Sequence, residues 1–308
     1  MMDDVVISIV CTNNRAVLEG CLDSLPAACE GLRWRATVVD NAGSDGTSEM
    51  VNERFGWAHL VRNDRRHGFG HNHNLTIAPT LKHENARYVM VLNDDTRLDR
   101  RAVFEMVQEM DETPDLGAIG PRIRGLDGAP QQSLFRFPSV RHLLVHQFRP
   151  GLPPGEAGRA GWLNGSCLVL RREALQQAGS FDESYFIFYE DTDLGYRLLE
   201  AGWRSAVSRD AGMVHLEHQT VSMPAVSSMM ARQMLRSEWL YASKRTGAWL
   251  AFGLSMGTRA ALLLRSAKAA AGGARGDGDA RLLARALLGL ARYRPAEPLP
   301  HELAVERG

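Results

Sequence analysis

The sequence predicts an α/β fold: a Rossmann-like, mostly parallel sheet flanked by helices, with a helical C-terminal extension. Three observations carry this. The runs VVISIVC, RATVVD and YVMVLN are apolar without alternation, as expected of strands buried on both faces of a parallel sheet. Segments with helical spacing separate them, which is the signature of βα units. The second and third runs break abruptly into acids, Asp40 and then Asp94–Asp95, where such strands leave the sheet at its carboxyl edge.

Element by element, VVISIVC is the first strand. NRAVLEGCLDSLPAAC follows as a helix, with Val17, Leu18, Cys21, Leu22 and Leu25 at helical intervals. RATVVD is the second strand, and TSEMVNERF a short helix opened by a Thr cap. HNHNLTIAPTLKH supplies another helix before the third strand, YVMVLN. RAVFEMVQEMDETP is a helix stopped by Pro114, and LGAIGPRIRGLDG a strand and turn. Residues 131–160, rich in Pro, Arg, Gly and Phe without a period, read as a loop crossing the surface. GWLNGSCLVLRREAL is a buried strand running into a helix, and DTDLGYRLLEAGW a helix ended by Gly202. After about Pro224 the composition shifts: residues 229–294 hold twelve Lys/Arg against three acids, in helical segments interrupted by the linker AGGARGDGDA. The expected organisation is therefore a main domain over residues 1–223, with halves 1–120 and 121–223, and a basic helical extension over 224–308.

Composition bounds the function. The 308 residues carry a formal net charge of zero, which gives no support to nucleic acid as a partner of the whole chain. Cys11, Cys21, Cys29 and Cys167 form no CxxC pair and no metal-ligand spacing, so they are expected to be reduced thiols of a cytoplasmic protein. The start, MMDDVVISIV, carries acids and enters a strand directly, unlike a signal peptide. The most apolar stretch, Gly247 to Ser266, contains Arg259 and scattered glycines and is a poor membrane span.

Five stretches could carry chemistry. Asp94 and Asp95 are hard oxygen donors at a strand end and suit Mg²⁺ or Mn²⁺ bridging to phosphate; Asn-Asp-Asp-Thr is equally ordinary turn chemistry. Asp40, opening DNAGSDGT, sits where a carboxylate can accept from a base or a ribose, or can simply close a tight loop. In RRHGFGHNHN, the glycines at 68 and 70 allow close approach to a phosphate or sugar, while His67, His71 and His73 lack a zinc-site spacing. In FDESYFIFYEDTDLGYR, Glu190 and Asp191 precede a helix whose first turn holds Asp193, and the helix N-terminus favours ionised carboxylates and keeps a base available. The aromatics Phe181, Tyr185, Phe186, Phe188 and Tyr189 either wall a sugar pocket or belong to the core. His215, in AGMVHLEH, matters only if it converges with Asp95 on one cation.

Taken in order, Ile7–Arg15, VVDNAGSDGT, GFGHNHN, VLNDDT, WLNGSCLVLRREAL, FDESYFIFYEDTDLGYRLLEAGW and the late His resemble family 2 glycosyltransferases of GT-A fold, in particular their rhamnosyltransferase-like branch. The resemblance implies an inverting transferase using a nucleoside diphosphate sugar, dTDP-rhamnose or a UDP-hexose, and a saccharide, lipid-linked or small-molecule acceptor in polysaccharide or glycoconjugate synthesis. It implies donor contacts from Thr12, Asn14, Arg15, Asp40, Asn41, Gly68, Asn74, Asn93 and Asp94. Asp95 and His215 would hold the Mg²⁺ or Mn²⁺. Asp191 would be the general base with Glu190 beside it, and Trp162, Gly165 and Phe186 would meet the acceptor. Asn13 stands where the family often has Tyr, and no Gln-x-x-Arg-Trp sequence of membrane-spanning polymerases is present. The basic C-terminal helices would suit an anionic inner membrane face, or a homodimer contact, or a solvated cap. Two other classes stay open here: an inactive nucleotide-sugar-binding relative, and a sugar-phosphate nucleotidyltransferase. The latter would carry a Gly-rich basic first loop, which CTNNRAVLEG is not.

Overall fold

The computed structural model describes residues 2–83, 86–138, 161–216 and 224–246. Packing divides the chain into two units. Among the described residues, the first holds 2–137, 161–186 and 190–216, and the second holds 138, 187–189 and 224–246.

In the first unit the strands are β1 (Asp3–Cys11), β2 (Trp34–Asp40), β3 (Ala58–Arg62), β4 (Ala86–Asn93), β5 (Thr96–Leu98), β6 (Leu116–Arg124), β7 (Pro130–Gln131), β8 (Leu134–Arg136), β9 (Gly161–Leu163), β10 (Cys167–Arg171) and β11 (Arg204–His215). The helices are α1 (Arg15–Ala28), α2 (Thr47–Arg54), α3 (Phe69–His83), α4 (Ala102–Glu112), α5 (Arg172–Ala178) and α6 (Glu190–Glu200). The main sheet runs β3-β2-β1-β4-β10-β6-β11-β5. Strands β3, β2, β1 and β4 are mutually parallel; β10 is antiparallel to both neighbours, and β11 is parallel to β6. The carboxyl ends of β1, β2, β4, β6 and β11 therefore lie along one edge.

β4 shows why the apolar runs form a buried sheet. Its Tyr88, Met90 and Leu92 join one core with Val5, Ile7 and Ile9 of β1, Leu18 and Leu22 of α1, and Met106 of α4. Val89 and Val91 point to the opposite core, with Ile77, Leu168, Leu170 and Phe181. Each such side chain stabilises the fold by about 1.5–3 kcal/mol through the water it leaves.

Some expectations change. GWLNGSCLVLRREAL is two strands, β9 and β10, separated by a tight turn at 164–166, rather than one strand. Thr47 is the first residue of α2 and not its cap. The preceding Gly46 has φ 80, and Asp45 Oδ1 takes the Thr47 N–H at 3.2 Å and its hydroxyl at 2.6 Å. β3 had no clear sequence signal because it is a five-residue edge strand, partly exposed along its length. Gly202 does end α6, at φ 88, with Trp203 N–H donating to Leu198 O at 2.9 Å. Most of the 131–160 stretch, the segment Gly247–Ser266 and the AGGARGDGDA linker lie outside the described residues.

In the second unit, α7 (Pro224–Thr246) carries Ser237, whose hydroxyl donates to Ile187 O at 2.8 Å, and Tyr241, whose ring lies 5.4 Å from that of Tyr189. No helix among the described residues is long and apolar enough to cross a membrane.

Candidate active site

Sheet register brings the first two acid-bearing strand ends together: Cys11 pairs with Asp40, and Val10 with Asn93. The loops after β1 and β2 are laced to each other. Asn13, at φ 52, accepts the Ser44 N–H on its Oδ1 at 2.7 Å, and Arg15 N–H donates to Asp45 Oδ2 at 2.8 Å. Thr12 Oγ1 accepts from Asn41 Nδ2 at 3.3 Å, and Asn41 also holds His67 through its N–H and C=O. Asp40 is buried, with Oδ1 accepting the Gly43 N–H at 2.7 Å and Oδ2 accepting the Ser48 hydroxyl. Both its oxygens thus shape the loop, while Arg15 is exposed at the rim.

The glycine-rich start of α3 packs against the segment 181–186. A Cβ on Gly68 would stand 2.6 Å from Phe186 O, and one on Gly70 would stand 2.8 Å from Phe181 Cβ. Asn74 clamps the same segment: it donates to Phe181 O at 2.8 Å and Glu183 Oε1 at 2.9 Å, and accepts the Phe181 N–H at 3.2 Å. Phe181 and Tyr185 are core residues, and Phe186 is half-buried. The three histidines divide by environment. His67 and His71 stack at 4.1 Å, and His71 Nδ1 lies 2.7 Å from Glu183 Oε2. His73 is buried beside Ser8 Oγ at 2.9 Å, and burial pushes its imidazole down to about 3, so it is neutral.

At the end of β4 the carboxylates separate. Asp94 is pushed up to about 7 by burial and by the Asp95 charge, against the pull of the Cys11 thiol and of Asn14. Asp95 Oδ1 lies 3.3 Å from His215 Nε2, and the Leu216 N–H donates to Asp95 O at 2.8 Å. The β5–β11 pairing creates this meeting, since His215 is the register partner of Thr96. Asp95 Oδ1 and His215 Nδ1 are both buried without a hydrogen bond. Oδ1 faces Nε2 while Nδ1 lies on the far side of the ring; a carboxylate oxygen and an imidazole nitrogen this close are a ligand pair that a divalent cation can take. No cluster of three or more His, Cys, Asp or Glu among the described residues is arranged as a complete cage, so part of any coordination sphere would come from a ligand's own oxygens.

Asp191 opens α6. Its Oδ1 accepts the Thr192 N–H at 2.6 Å and the Thr192 hydroxyl at 3.2 Å, and its Oδ2 accepts the Gly165 N–H at 3.1 Å. Glu190 is buried, its Oε2 has no hydrogen-bond partner, and burial together with the Asp191 charge holds its carboxyl well above the usual range. Asp193 is buried and paired with Arg197 at 2.8 Å, and Arg197 in turn donates to the 178–180 carbonyls. Just before the helix, Phe188 and Tyr189 take left-handed φ of 70 and 68. Trp162 is buried; its indole stacks on Phe135 at 4.8 Å and its N–H donates to Arg136 O at 3.2 Å. All four cysteines are free and buried, and burial pushes the Cys21 and Cys29 thiols up to about 12.

Sequence reasoning passed over Cys11 as a neighbour of Asp94, Ser48 as a donor to Asp40, and the 164–166 turn as a seat for Asp191. The first two fall eighty-three and eight residues from their partners, and no local pattern marks such pairs.

The family profile described as Glycosyltransferase like family 2 matches residues 3–242. The chain is 31% identical over 270 residues to an N-acetylglucosaminyl-diphospho-decaprenol L-rhamnosyltransferase of Mycobacterium tuberculosis, covering 81% of this chain and 87% of the relative. It is 25% identical over 203 residues to a low-salt glycan biosynthesis hexosyltransferase of Haloferax volcanii, covering 64% and 62%. Among solved structures, a mannosyltransferase of Pyrobaculum calidifontis in complex with GDP-Man and Mn²⁺ superposes with a TM-score of 0.55 at 19% identity, covering 96% of this chain and 82% of that one. S. aureus TarS in complex with UDP-GlcNAc gives 0.52 at 16% identity, covering 77% and 66%.

Proposed function

The chain belongs to glycosyltransferase-like family 2, and from that membership we propose that it is an inverting sugar transferase acting with a divalent cation. Its acceptor is a polyprenyl-diphosphate-linked N-acetylglucosamine and its transferred sugar L-rhamnose, the chemistry in the name of the 31%-identical relative, and its donor is taken to be dTDP-rhamnose. One observation carries the reading: Asp95 Oδ1 and His215 Nε2, 3.3 Å apart, share a sheet edge with Asp94 and the β1 and β2 loops.

Mg²⁺ or Mn²⁺, held by Asp95, His215 and diphosphate oxygens, would supply Lewis-acid stabilisation of the leaving nucleoside diphosphate. Asp191 takes the proton from the acceptor hydroxyl. It is fixed by donors to both oxygens and sits at a helix start that favours its ionised form. Burial and the Asp191 charge raise the Glu190 carboxyl well above its usual range, which favours carrying the negative charge of the pair on Asp191. The hydroxyl then attacks the anomeric carbon opposite the leaving group, which inverts configuration in one displacement; no second carboxylate acts as nucleophile. The loops after β1 and β2 form the nucleotide end, with Thr12, Asn14 and Arg15 at its rim. Arg236, Lys244 and Arg245 on α7 suit the cytoplasmic face of an anionic membrane, where a lipid-linked acceptor resides.

The test is a thermal-shift panel of dTDP, UDP and GDP with and without Mn²⁺, followed by transfer from dTDP-rhamnose. We expect metal-dependent stabilisation by dTDP that Asp95→Ala and His215→Ala lose. Asp191→Asn keeps that stabilisation and loses turnover by about 10³-fold or more. No stabilisation by any diphosphate with Mn²⁺ would sink the reading, and turnover surviving in Asp191→Asn would remove the base.

A further inference from the structure

We propose that the turn at 164–166 is the positioning element for Asp191, with Gly165 as the residue that sets its carboxylate and Gly195 seating the helix that carries it. The inference rests on Asp191 being the base.

Asp191 is fastened from two sides. Its own helix ties Oδ1 through Thr192, while Oδ2 accepts the Gly165 N–H at 3.1 Å from across the fold. That donor can orient the carboxylate only if the turn is itself fixed, and it is. Asn164 N–H donates to Ser133 O at 2.8 Å, and Asn164 Oδ1 accepts the Ser166 N–H at 2.8 Å. Ser166 O accepts the Asn93 N–H at 2.9 Å, and the next residue, Cys167, pairs with Leu92. Asn93 directly precedes Asp94 and Asp95. Two peptide units thus join the strand end bearing the cation-side acids to the carboxylate that takes the proton.

Glycine at 165 is a matter of space. Its φ is not in the left-handed region, so alanine is conformationally allowed. A Cβ there, however, would lie 3.2 Å from Asp191 Oδ2, 3.4 Å from Asp191 Cβ and 3.6 Å from Phe69 Cζ. Gly195 lies one turn along the same face of α6. A Cβ there would lie 2.7 Å from Trp162 Cβ, so the helix rests on β9 through a second missing side chain. Trp162 is buried under Phe135 and Gly165 is turned to Asp191, which makes both a seat for the base.

The experiment measures transfer from dTDP-rhamnose to decaprenyl-diphospho-N-acetylglucosamine for Gly165→Ala, Asp191→Asn and the double variant, with dTDP–Mn²⁺ thermal shifts alongside. Displacement of a base by a fraction of an ångström costs on the order of 10²-fold in rate. Gly165→Ala is therefore expected to lose about that factor in kcat while KM for dTDP-rhamnose and the dTDP–Mn²⁺ shift stay at parent values. The double variant is expected to be no slower than Asp191→Asn alone, since the turn acts only through that carboxylate. Parent kcat in Gly165→Ala, or an additive loss in the double variant, overturns the positioning role and leaves the base standing. Turnover surviving in Asp191→Asn overturns both. If Gly165→Ala does not fold, Gly195→Ala carries the same test through the other end of the seat: the same loss in kcat at unchanged KM supports the role, and parent kcat overturns it.

Discussion

The end of β4 holds a carboxylate that the metal-free fold resists ionising. Asp94 is pushed up to about 7 from an ordinary 3.8, first by burial and then by the neighbouring Asp95 charge. A carboxyl whose folded value exceeds its unfolded one stabilises the fold below the unfolded value, and that contribution is lost as pH rises through the folded one. Metal-free stability should therefore decline from about pH 4 and level off above about pH 7. The gap between 3.8 and about 7 corresponds to at most roughly 4 kcal/mol at about 1.4 kcal/mol per pH unit, and relaxation around the buried carboxyl brings this to ~2 kcal/mol. Asp94→Asn removes the titrating group. Urea unfolding without metal should find the variant about 2 kcal/mol more stable than the parent at pH 8, and within ~0.5 kcal/mol of it at pH 4. In melts, that is a gain of roughly 5 °C at pH 8. Mn²⁺ with dTDP should reverse the order at pH 8, because a cation favours the ionised carboxylate that the variant lacks. A variant less stable than the parent by the same amount at both pH values would show that Asp94 contributes ordinary packing, and would refute the argument.

Three further outcomes follow from the site's surroundings. Burial holds His73 at about 3, below the 6.5 of an unfolded chain, so its contribution to stability is complete above about pH 6.5 and lost as pH falls toward 3. His73→Gln should flatten the urea midpoint between pH 6.5 and 4; an unchanged slope would contradict this. Asn74→Ala leaves the Phe181 N–H and C=O without their partner and should cost ~2–4 kcal/mol, with faster amide exchange through 181–186. Ala42 sits at φ 56, so Ala42→Val should lower stability by about 1 kcal/mol or more in thermal melts, while Ala42→Gly should be neutral or slightly stabilising.

The parallel half of the sheet was legible because β1, β2 and β4 are buried on both faces and say so in unbroken apolar runs. The location of the acids was legible for a related reason: Asp40 and Asp94–Asp95 follow those runs directly, at the edge where parallel strands end. Strand direction was not legible. Nothing in CLVLR marks β10 as antiparallel, and β3 is too short and too exposed to show a period. The glycine-rich loop illustrates a deeper limit. Glycines before a helix allow close approach, but the sequence does not say to what; here Gly68 and Gly70 meet Phe186 and Phe181, more than a hundred residues on.

The same distinction sorts the candidate residues by what their polar atoms do. Asp40, Asn41 and Asn74 are surrounded by partners within the fold and shape the loops on which the site is built. Asp95 and His215 end differently: Asp95 Oδ1 makes no hydrogen bond and lies at ion-pair distance from His215 Nε2, while His215 Nδ1, across the ring, has no hydrogen-bond partner. An unsatisfied buried polar atom costs about 1–3 kcal/mol, which His215 Nδ1, turned away from Asp95, incurs. Asp94, beside them, adds its own penalty above neutral pH. Two carboxylates crowded at one strand end, with a histidine turned to one of them, have no structural reason to share one sheet edge. A divalent cation held by Asp95 and His215 would relieve the repulsion between the Asp94 and Asp95 charges, and that is the physical argument for placing it there.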